Sequence, residues 1–538
     1  MNASIASGSG SICPAGCPAH PAVGHPEAAC PARLAGPVDA AAFDDSPHEE
    51  CGVFGVWAPG KDVARMSYFA LHALQHRGQE SAGIAVGDGQ TVLVRKDTGL
   101  VNQVFSDADI ASLVGDVAVG HVRYGTAGSK GWMGAQPHLS TIGDVIIALA
   151  HNGTLVNSGD LRRQLIDLGV PFLSNTDSEV ATRLIGYFTQ NTHHIREGIR
   201  NTMELLEGGY AMALINDEAL YAFRDPQGIR PLVLGELPDG AGWCVASETC
   251  ALDILGARFV RDVRPGEVLR VSAEGLVSEQ AVPARPRALC IFEHVYFARP
   301  DSVMEGDSIY AARVRMGREL AREAPADADL VIAVPDSGIP SAVGYSRESG
   351  IPYGDGLVKN RYVGRTFIQP TQELRQMGVR MKLNPLREVI AGKRLVVVDD
   401  SIVRGTTSKQ IVHMLREAGA AEVHMRIVSP EVKWPCFYGI DTDVQAQLIS
   451  ARKDPQAVCE YIGADSLAFL SVPALLSCVH EGGYCCACYD GCYPVEIPTA
   501  FSRGKFLDGY EPNNLATAPE STHRRVSDIA SEIEREYQ

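Results

Sequence analysis

Two adjacent acids, Asp399 and Asp400, end a run of valines in the segment VVVDDSIVRGTT, residues 396–407. The valines predict a buried strand, and open α/β sheets bind ligands at the carboxyl ends of such strands. The start of a helix then follows and offers backbone amides to an anion. A ribose that carries a 5-phosphate suits both features, with the carboxylates facing its hydroxyls or Mg²⁺. Further hydroxyl donors to the phosphate are Ser401, Thr406 and Thr407.

This segment resembles the signature of type I phosphoribosyltransferases, which bind phosphoribosyl pyrophosphate (PRPP). The resemblance implies that the loop VPDSG (334–338) meets the pyrophosphate and that KNRYVGRTFIQP (359–370) is a mobile lid. A lid would exclude water from an oxocarbenium-like ribosyl centre. The Mg²⁺ residues that the resemblance implies are Ser337, Asp399 and Asp400. The implied substrate-binding residues are Lys359, Arg365, Lys382, Ser401, Arg404, Gly405, Thr406 and Thr407. The lysine-containing phosphate loop of nucleotide triphosphatases is absent.

A second candidate site begins at Cys51, which opens the strand-like run CGVFG. A thiolate nucleophile needs a base, a substrate clamp and an oxyanion hole. If the chain is cut between Glu50 and Cys51, the new α-amino group, with a pKa of about 8, is a suitable base at neutral pH. The motifs that follow resemble the class II glutamine amidotransferases, which have the N-terminal-nucleophile hydrolase fold. These motifs are QHRGQESAG (75–83), GHVRYGTAG (120–128), AHNGTLVN (150–157) and SNTDSEV (174–180).

The resemblance assigns a role to each residue of this second site. Cys51 would attack the side-chain amide of glutamine, release ammonia and leave a glutamyl thioester for water to hydrolyse. Arg123 would pair with the glutamine carboxylate, a task that suits a planar bidentate donor. Asp177 would bind the α-ammonium group. Asn152 and the backbone amide of Gly153 would form the oxyanion hole.

Four segments are predicted from changes in pattern along the chain. Residues 1–50 are rich in Ala, Pro and Gly without periodicity, which predicts a disordered leader. Residues 51–282 contain short strands and few helices, which favours sheets packed face to face. Residues 283–500 alternate strands with helices, which predicts a parallel sheet. The polar tail, 501–538, ends in weak helical spacing that predicts a surface helix or a frayed end.

The predicted fold is therefore an α+β four-layer sandwich of the N-terminal-nucleophile hydrolase type, followed by an α/β type I phosphoribosyltransferase domain with a parallel sheet. Apolar spacing and breaker residues give the expected helices of both halves. These lie at 66–78, 160–168, 178–206 and 340–349.

Taken together, the two halves resemble the amidophosphoribosyltransferase family, and RDPQGIRPL (224–232) and ASETCALD (246–253) favour it over other amidotransferases. The resemblance implies that glutamine, PRPP and water give 5-phosphoribosylamine, glutamate and pyrophosphate, the first step of de novo purine biosynthesis. Ammonia would pass from Cys51 to PRPP shielded from water. The resemblance also implies a homo-oligomer, a tetramer, inhibited by purine nucleotides. The alternatives are another class II amidotransferase and a non-catalytic PRPP-sensing regulator.

The chain has 14 cysteines, several of them in GYCCACYDGCYPVE near its end. Some members of the family carry a [4Fe–4S] cluster on four thiolates. The matching residues here are Cys290, Cys436, Cys485 and Cys488. Cys486 and Cys492 could replace a ligand, and zinc is the competing metal. The remaining cysteines after residue 51 lie in apolar stretches and are predicted to be core residues; they are Cys244, Cys250, Cys459 and Cys478.

Composition limits the other classes of function. The 538 residues include 65 acidic and 48 basic side chains, a formal net charge of −17, which argues against nucleic-acid binding. No apolar run reaches the ~18 residues that a membrane span needs. The first residues do not resemble a secretory signal, so a cytoplasmic protein with reduced thiols is expected.

Overall fold

The computed structural model describes residues 51–124, 131–143, 145–360, 382–442, 444–480, 482–507 and 524–537. All of these belong to the compact unit Phe43–Gln538. The predicted leader 1–50 and most of the predicted lid, including Arg365, lie outside the described residues.

Two antiparallel sheets form the first half of the described chain. In the seven-stranded sheet the strand order is β11-β9-β10-β1-β4-β2-β3, and in the six-stranded sheet it is β13-β12-β8-β7-β6-β5. The first sheet consists of β1 (Gly52–Trp57), β2 (Ser81–Gly87), β3 (Val92–Thr98), β4 (Val117–Arg123), β9 (Val233–Glu236), β10 (Trp243–Ala246) and β11 (Arg258–Asp262). The second consists of β5 (His138–Ile142), β6 (Val145–Leu155), β7 (Gly208–Ile215), β8 (Leu220–Arg224), β12 (Glu267–Ser272) and β13 (Gly275–Gln280).

Small residues let these two sheets pack closely. Val119 and Ala85 of the first sheet share a buried core with Ala148, Ala150 and Ala213 of the second. Helices cover the outer face of each sheet, so the first half has four layers and the predicted sandwich is confirmed. The helices are α1 (Val63–Ala73), α2 (Val101–Val104), α3 (Asp107–Ser112), α4 (Ser158–Asp167), α5 (Asp177–Thr192), α6 (Ile195–Met203) and α7 (Cys250–Asp253).

Two helix predictions in this half need correction. The stretch 178–206 is two helices, because His193 adopts a left-handed conformation with φ of 60° and ends α5. The stretch 66–78 contains the end of α1 and then a separate 3₁₀ turn, Gln75–Arg77. Apolar spacing continues across both breaks, so the pattern alone could not show them.

A four-stranded parallel sheet forms the centre of the second half, as predicted. Its strand order is β17-β20-β21-β22, and neighbours in this order pair in parallel. The strands are β17 (Leu330–Ala333), β20 (Arg394–Asp399), β21 (Glu422–Ile427) and β22 (Ser466–Phe469). The helices of this half are α8 (Ile309–Glu323), α9 (Ile339–Ser349), α10 (Arg387–Ile390), α11 (Thr406–Glu417), α12 (Pro455–Ile462), α13 (Val472–Ser477), α14 (Ala487–Asp490) and α15 (Thr499–Ser502).

The second half also contains three short strand pairs and one short π-helical turn. The turn is a five-residue π-helical segment, Glu293–Phe297. The strand pairs are β14 (Leu289–Cys290) with β23 (Tyr484–Cys485), β15 (Val303–Met304) with β16 (Asp307–Ser308), and β18 (Leu357–Lys359) with β19 (Leu383–Pro385). Across the described part of the chain, no helix is long and apolar enough to span a bilayer.

The last described segment forms a helix, α16 (Val526–Tyr537), that returns to the first half. Val526, Ile529 and Ile533 are buried in the core that lies beneath α4 and α5. The backbone amide of Val526 donates to Gln164 Oε1 at 2.9 Å. The tail therefore docks through an apolar face rather than fraying.

We expect Ile529→Ala to loosen α16, because loss of a buried aliphatic side chain costs roughly 2–5 kcal/mol. Amide hydrogen exchange in α16 should accelerate about tenfold or more, measured by mass spectrometry. The exposed Glu534→Ala is the matched control and should leave exchange unchanged. Equal exchange rates in the two variants would contradict the docking.

Candidate active sites

Cys51 lies at the start of β1, the central strand of the first sheet, and is partly buried. Gly52 pairs with Val122 in antiparallel register, so Cys51 lies opposite Arg123 at the end of β4. The whole Arg123 residue is only 6% exposed. The structure therefore brings together the predicted nucleophile and the predicted carboxylate clamp from opposite ends of neighbouring strands.

Asn152 and Gly153 lie on β6, in the second sheet, and pair with Ala211 and Tyr210 of β7. The Asn152 Nδ2 atom is buried and has no hydrogen-bond partner among the described residues. Gly153 has φ of +128°, and a Cβ there would lie 2.0 Å from the Gly209 carbonyl oxygen. Only glycine fits this place, and the buried amide beside it is a donor that a ligand oxygen could satisfy.

Asp177 is the first residue of α5, whose start is capped by the Thr176 hydroxyl. Its Oδ2 accepts from the Leu155 amide at 3.0 Å, and its Oδ1 accepts from the Ser178 amide at 2.8 Å. These bonds fix the carboxylate between α5 and the strand that carries Asn152. About a quarter of the side chain stays exposed, which leaves the carboxylate accessible to a cation.

Asp399 and Asp400 lie at the carboxyl end of β20, and both are buried. Ser337, in the loop after the neighbouring strand β17, donates to Asp400 Oδ2, and Ser401 donates to Asp400 Oδ1 at 2.6 Å. Burial raises the pKa of the Asp400 carboxyl above its ordinary value. A cation at this strand end would therefore favour the ionised form of a carboxylate that the protein itself keeps poorly solvated.

The donors at this strand end fit Mg²⁺. Mg²⁺ is usually held by one or two carboxylates together with substrate phosphates and water, and carboxylate oxygens are its preferred ligands. The pair Asp399–Asp400 supplies that number, with the Ser337 hydroxyl alongside. Within the described ranges no group of three or more His, Cys, Asp or Glu side chains has the geometry of a self-sufficient metal site. Two carboxylates and a hydroxyl leave coordination positions that water and a substrate phosphate could fill.

The loop after Asp400 leads into α11. Gly405 has φ of +81° and precedes Thr406, the first residue of the helix, with Thr407 next. The Arg404 guanidinium reaches across to Gln447 Oε1 at 2.9 Å. The structure therefore places the predicted phosphate loop between the acid pair and a helix start, where backbone amides can meet an anion.

Lys359 is the first residue of the predicted lid, 359–370, and Lys382 is the first described residue after it. Lys359 ends β18 and pairs in register with Leu383 of β19, and the Asn360 amide donates to the Lys382 carbonyl at 2.8 Å. The Lys359 ammonium contacts Asp336 Oδ2 of the VPDSG loop at 2.9 Å. The two ends of the segment that contains Arg365 are thus held together beside the predicted pyrophosphate loop.

The four predicted cluster cysteines lie near one another. Cys290 pairs with Cys485 between β14 and β23. Burial raises the thiol pKa of all four, and the charges of Cys290, Cys485 and Cys436 raise that of Cys488 further. The Tyr438 amide donates to Cys436 Sγ at 3.5 Å. The predicted core cysteines are buried, as expected; these are Cys244, Cys250, Cys459 and Cys478.

Cys492 is placed differently from these four. It is exposed, and its thiol contacts the Asp490 carbonyl at 4.0 Å. Cys486 is buried, and the charges of Asp490 and Cys492 contribute to raising its thiol pKa. Cys492 is therefore more accessible to solvent than the four predicted residues, and in the part of the chain that is described no group of three or more His, Cys, Asp or Glu side chains has metal-binding geometry.

Comparison with known proteins decides the family. A glutamine amidotransferase domain model matches residues 126–253, and a phosphoribosyl transferase domain model matches 305–429. The amidophosphoribosyltransferase of Synechococcus elongatus is 52% identical, over 86% of this chain and 95% of the relative. That of Bacillus subtilis is 46% identical, over 84% of this chain and 95% of the relative. This chain belongs to the amidophosphoribosyltransferase family.

A solved structure supports the same assignment. The B. subtilis glutamine PRPP amidotransferase complexed with ADP and GMP has a TM-score of 0.77 and 45% identity, covering 83% of this chain and 98% of that one. Our chain is thus an enzyme of the first step of purine biosynthesis that joins a glutamine amidotransferase domain to a pentosyltransferase domain. Similarity across both halves argues against the two alternatives, a different class II amidotransferase and a non-catalytic regulator.

Sequence reasoning missed a polar network beneath the glutamine site of this family member. The Gln136 side chain accepts from the His151 amide at 2.7 Å and donates to Ser178 Oγ at 3.0 Å. A His121 ring nitrogen lies 3.0 Å from the His151 carbonyl oxygen. This network fixes the residue before Asn152 and the residue after Asp177. The signal available in the sequence was histidine and glutamine within otherwise apolar strands.

Burial keeps the histidines of this network neutral. It lowers the pKa of His121 to about 3, and it also lowers the pKa of His151. The unfolded chain binds a proton at these residues near pH 6.5, whereas the folded chain does not. The contribution of these two neutral histidines to the free energy of unfolding is therefore fully present above pH 6.5. It is lost as the pH falls from 6.5 towards their pKa in the folded protein.

We expect His121→Gln to reduce this acid sensitivity. Between pH 7 and pH 5 the His121 contribution changes by about 2 kcal/mol, which the variant lacks. Urea unfolding at the two pH values should therefore show a smaller drop in the unfolding midpoint for the variant than for the unsubstituted enzyme. The exposed His413→Gln serves as control, and an identical drop in all three proteins would refute the assignment.

Proposed function

We propose that the chain, once processed to begin at Cys51, converts glutamine, PRPP and water into 5-phosphoribosylamine, glutamate and pyrophosphate with the residues described above. The observation that carries this proposal is that one compact unit contains two sites, each with buried polar groups that a substrate could bind. One has a thiol opposite a buried guanidinium with an unpartnered buried amide on the facing sheet, and the other has a buried acid pair at the end of a parallel strand.

In the first site, the α-amino group of Cys51 takes the thiol proton as the sulfur attacks the side-chain carbonyl carbon of glutamine. Asn152 Nδ2 and the Gly153 amide stabilise the oxyanion that forms. Arg123 binds the substrate carboxylate and Asp177 binds its ammonium group. The proton passes to the departing nitrogen, ammonia leaves, and water then hydrolyses the thioester to glutamate.

In the second site, Ser337, Asp399 and Asp400 would hold Mg²⁺ with PRPP, and the metal would supply positive charge for the pyrophosphate leaving group. Ammonia attacks the anomeric carbon as the bond from that carbon to the pyrophosphate oxygen breaks. Ammonia must travel shielded, because bulk water would protonate it to a non-nucleophilic ammonium ion. The 5-phosphate binds Ser401, Gly405, Thr406 and Thr407, and the pyrophosphate is met by Lys359, Arg365, Lys382 and Arg404.

The proposal extends to the organisation of the chain. Residues 1–50 are a propeptide, 51–282 and 283–500 are the two catalytic domains, and 501–538 is a tail. While the propeptide remains, the nitrogen of Cys51 is an amide and cannot act as a base. We also propose a cytoplasmic homotetramer inhibited by purine nucleotides, which the ADP and GMP bound to the B. subtilis relative support.

A [4Fe–4S] cluster on Cys290, Cys436, Cys485 and Cys488 is also part of the proposal. Four buried or partly buried cysteines from three separate segments suit such a cluster, and the amide that donates to Cys436 Sγ would stabilise a metal-bound thiolate. The cluster would fasten β23 to β14, which pair through only two residues each. A structural role follows, since the ligands join distant parts of the chain.

Replacing the nucleophile separates the two half-reactions. We expect Cys51→Ala to lower glutamine-dependent pyrophosphate release by about 10³-fold or more, while ammonia-dependent release stays within about twofold. The buried Cys459→Ala is the control and should retain both activities. Loss of both activities in a folded Cys51→Ala protein, or retention of glutamine use, would contradict the proposal.

Mass spectrometry of the active enzyme should find residue 51 at the amino terminus, and an intact leader would exclude the amine as base.

Metal analysis tests the cluster. Anaerobically purified enzyme should contain about four irons and four sulfides per chain, with the visible absorption of a [4Fe–4S] centre. Cys488→Ser should lose this absorption, whereas Cys492→Ser should retain it, because Cys492 is exposed and is not among the thiols whose charges act on Cys488. Stoichiometric zinc in place of iron, or equal effects of the two substitutions, would overturn the assignment.

A further inference from the structure

A network of buried charges lies directly behind Cys51. The Arg77 side chain is fully buried, and its Nε donates to the Cys51 carbonyl oxygen at 3.2 Å. The same guanidinium donates to Glu293 at 2.7 Å and 3.1 Å, and to Glu248. Arg77 therefore connects the backbone of the proposed nucleophile to one carboxylate of the first half and one of the second.

Glu248 carries this connection further into the second half. Its Oε2 accepts from the Arg299 amide at 2.9 Å and from the Ser302 hydroxyl at 2.7 Å. Burial opposes its charge, but His76 and Arg77 hold the pKa of this carboxyl well below its usual range. Glu248 is therefore a fixed anion between the halves rather than a group that changes protonation near neutral pH.

Glu293 begins the turn Glu293–Phe297, and Arg313 of α8 clamps that turn from the other side. Arg313 Nε donates to the His294 carbonyl at 2.8 Å, and its Nη2 donates to the Ala298 carbonyl at 2.7 Å. On the other side, the Ser341 hydroxyl of α9, the helix that follows the VPDSG loop, donates to the Arg313 carbonyl at 3.1 Å. The turn is thus held between Arg313, which contacts the helix after the VPDSG loop, and Arg77, which holds Cys51.

Arg230 links the same glutamate to the oxyanion strand. Its Nη2 donates to Glu293 Oε1 at 3.2 Å. A Cβ placed on Gly439 would lie 3.4 Å from Arg230 Nη1 and 3.5 Å from Gly153 Cα. Arg230 therefore places the Glu293 carboxylate near the stretch where Gly439 approaches Gly153, and the same carboxylate directly contacts Arg77, which holds Cys51.

We propose that Arg77 and Glu293 are positioning residues through which the PRPP site sets the geometry of Cys51. The path runs from the VPDSG loop through α9 and Arg313 to the turn 293–297, and from Glu293 through Arg77 to the Cys51 carbonyl. When PRPP meets the VPDSG loop, a movement of α9 shifts Arg313 and the turn, and a shift of the turn moves the Arg77 and Arg230 contacts of Glu293 together. This proposal rests on the proposed role of Cys51 as the nucleophile.

The test measures how a ligand at one site changes the reactivity of the other. In processed enzyme, iodoacetamide alkylation of Cys51 is followed by mass spectrometry of its peptide, with and without Mg²⁺ and PRPP. In the unsubstituted enzyme we expect PRPP to change the alkylation rate about threefold or more. In Glu293→Gln and in Arg77→Lys, the ratio of the alkylation rates with and without PRPP should lie within about 1.5-fold of unity. Arg77→Lys keeps the charge but cannot reach three acceptors at once.

A matched control separates positioning from mere stability. Glu267→Gln removes another buried glutamate, one that pairs with Arg261 at 2.6 Å and contacts neither Arg77 nor Glu293. It should keep the full effect of PRPP on alkylation. Ammonia-dependent synthesis within about twofold in every variant shows that the PRPP site remains folded.

Two results would overturn the proposal. One is a ratio near unity in the unsubstituted enzyme, and the other is an undiminished ratio in Glu293→Gln and Arg77→Lys. A ratio lost equally in Glu267→Gln would also count against it, as it would show a general effect of destabilisation. Failure of the unsubstituted enzyme to make 5-phosphoribosylamine from glutamine would instead refute the proposed function.

Discussion

Glu248 of the first half and Glu293 of the second are fully buried carboxylates that compete for one guanidinium, that of Arg77. A buried carboxylate that loses its cation is destabilising by several kcal/mol. A shift of one half relative to the other would leave Glu248 or Glu293 buried without its contact to Arg77, and is therefore unfavourable. Coulombic attraction here need not add net stability. It does restrict the interface to one arrangement, and that arrangement fixes where Cys51 stands relative to the acceptor domain.

The end of the chain reinforces this arrangement at two separate places. β23 pairs with β14 beside the four thiols, and α16 buries an apolar face against the helices of the first half. The strand pair is weak alone, since two paired residues on each strand are marginal in water. Together they tie the last described segments to both domains, which explains why a proposed metal cluster at β23 would act on the whole assembly rather than on one loop.

Local patterns were sufficient to predict the strand at Cys51 and the change from short strands to alternating strands and helices near residue 283, because apolar runs and the residues that interrupt them are encoded over a few positions. They were also sufficient for the acid pair, which directly follows three valines. The break at His193 was not predictable, since apolar spacing continues through it. Arg77 and Glu248 stood inside motifs that indicated the family, yet their partnership spans 171 residues and the contact with Glu293 spans 216. Such pairings depend on tertiary packing and leave no local signal.

Each of the two proposed sites has a buried polar group whose cost a bound substrate would offset. Asn152 keeps a buried amide without a partner among the described residues, and burial raises the pKa of the Asp400 carboxyl above its ordinary value. An unpaired buried donor costs free energy until a ligand oxygen accepts from it, and a poorly solvated carboxylate gains when a cation arrives. Sites built in this way discriminate strongly, because a molecule that lacks the matching atom leaves the cost in place. In the proposed function, the folding free energy lost at Asn152 and Asp400 would therefore favour glutamine and a metal-bound sugar phosphate over analogues that lack the matching atom.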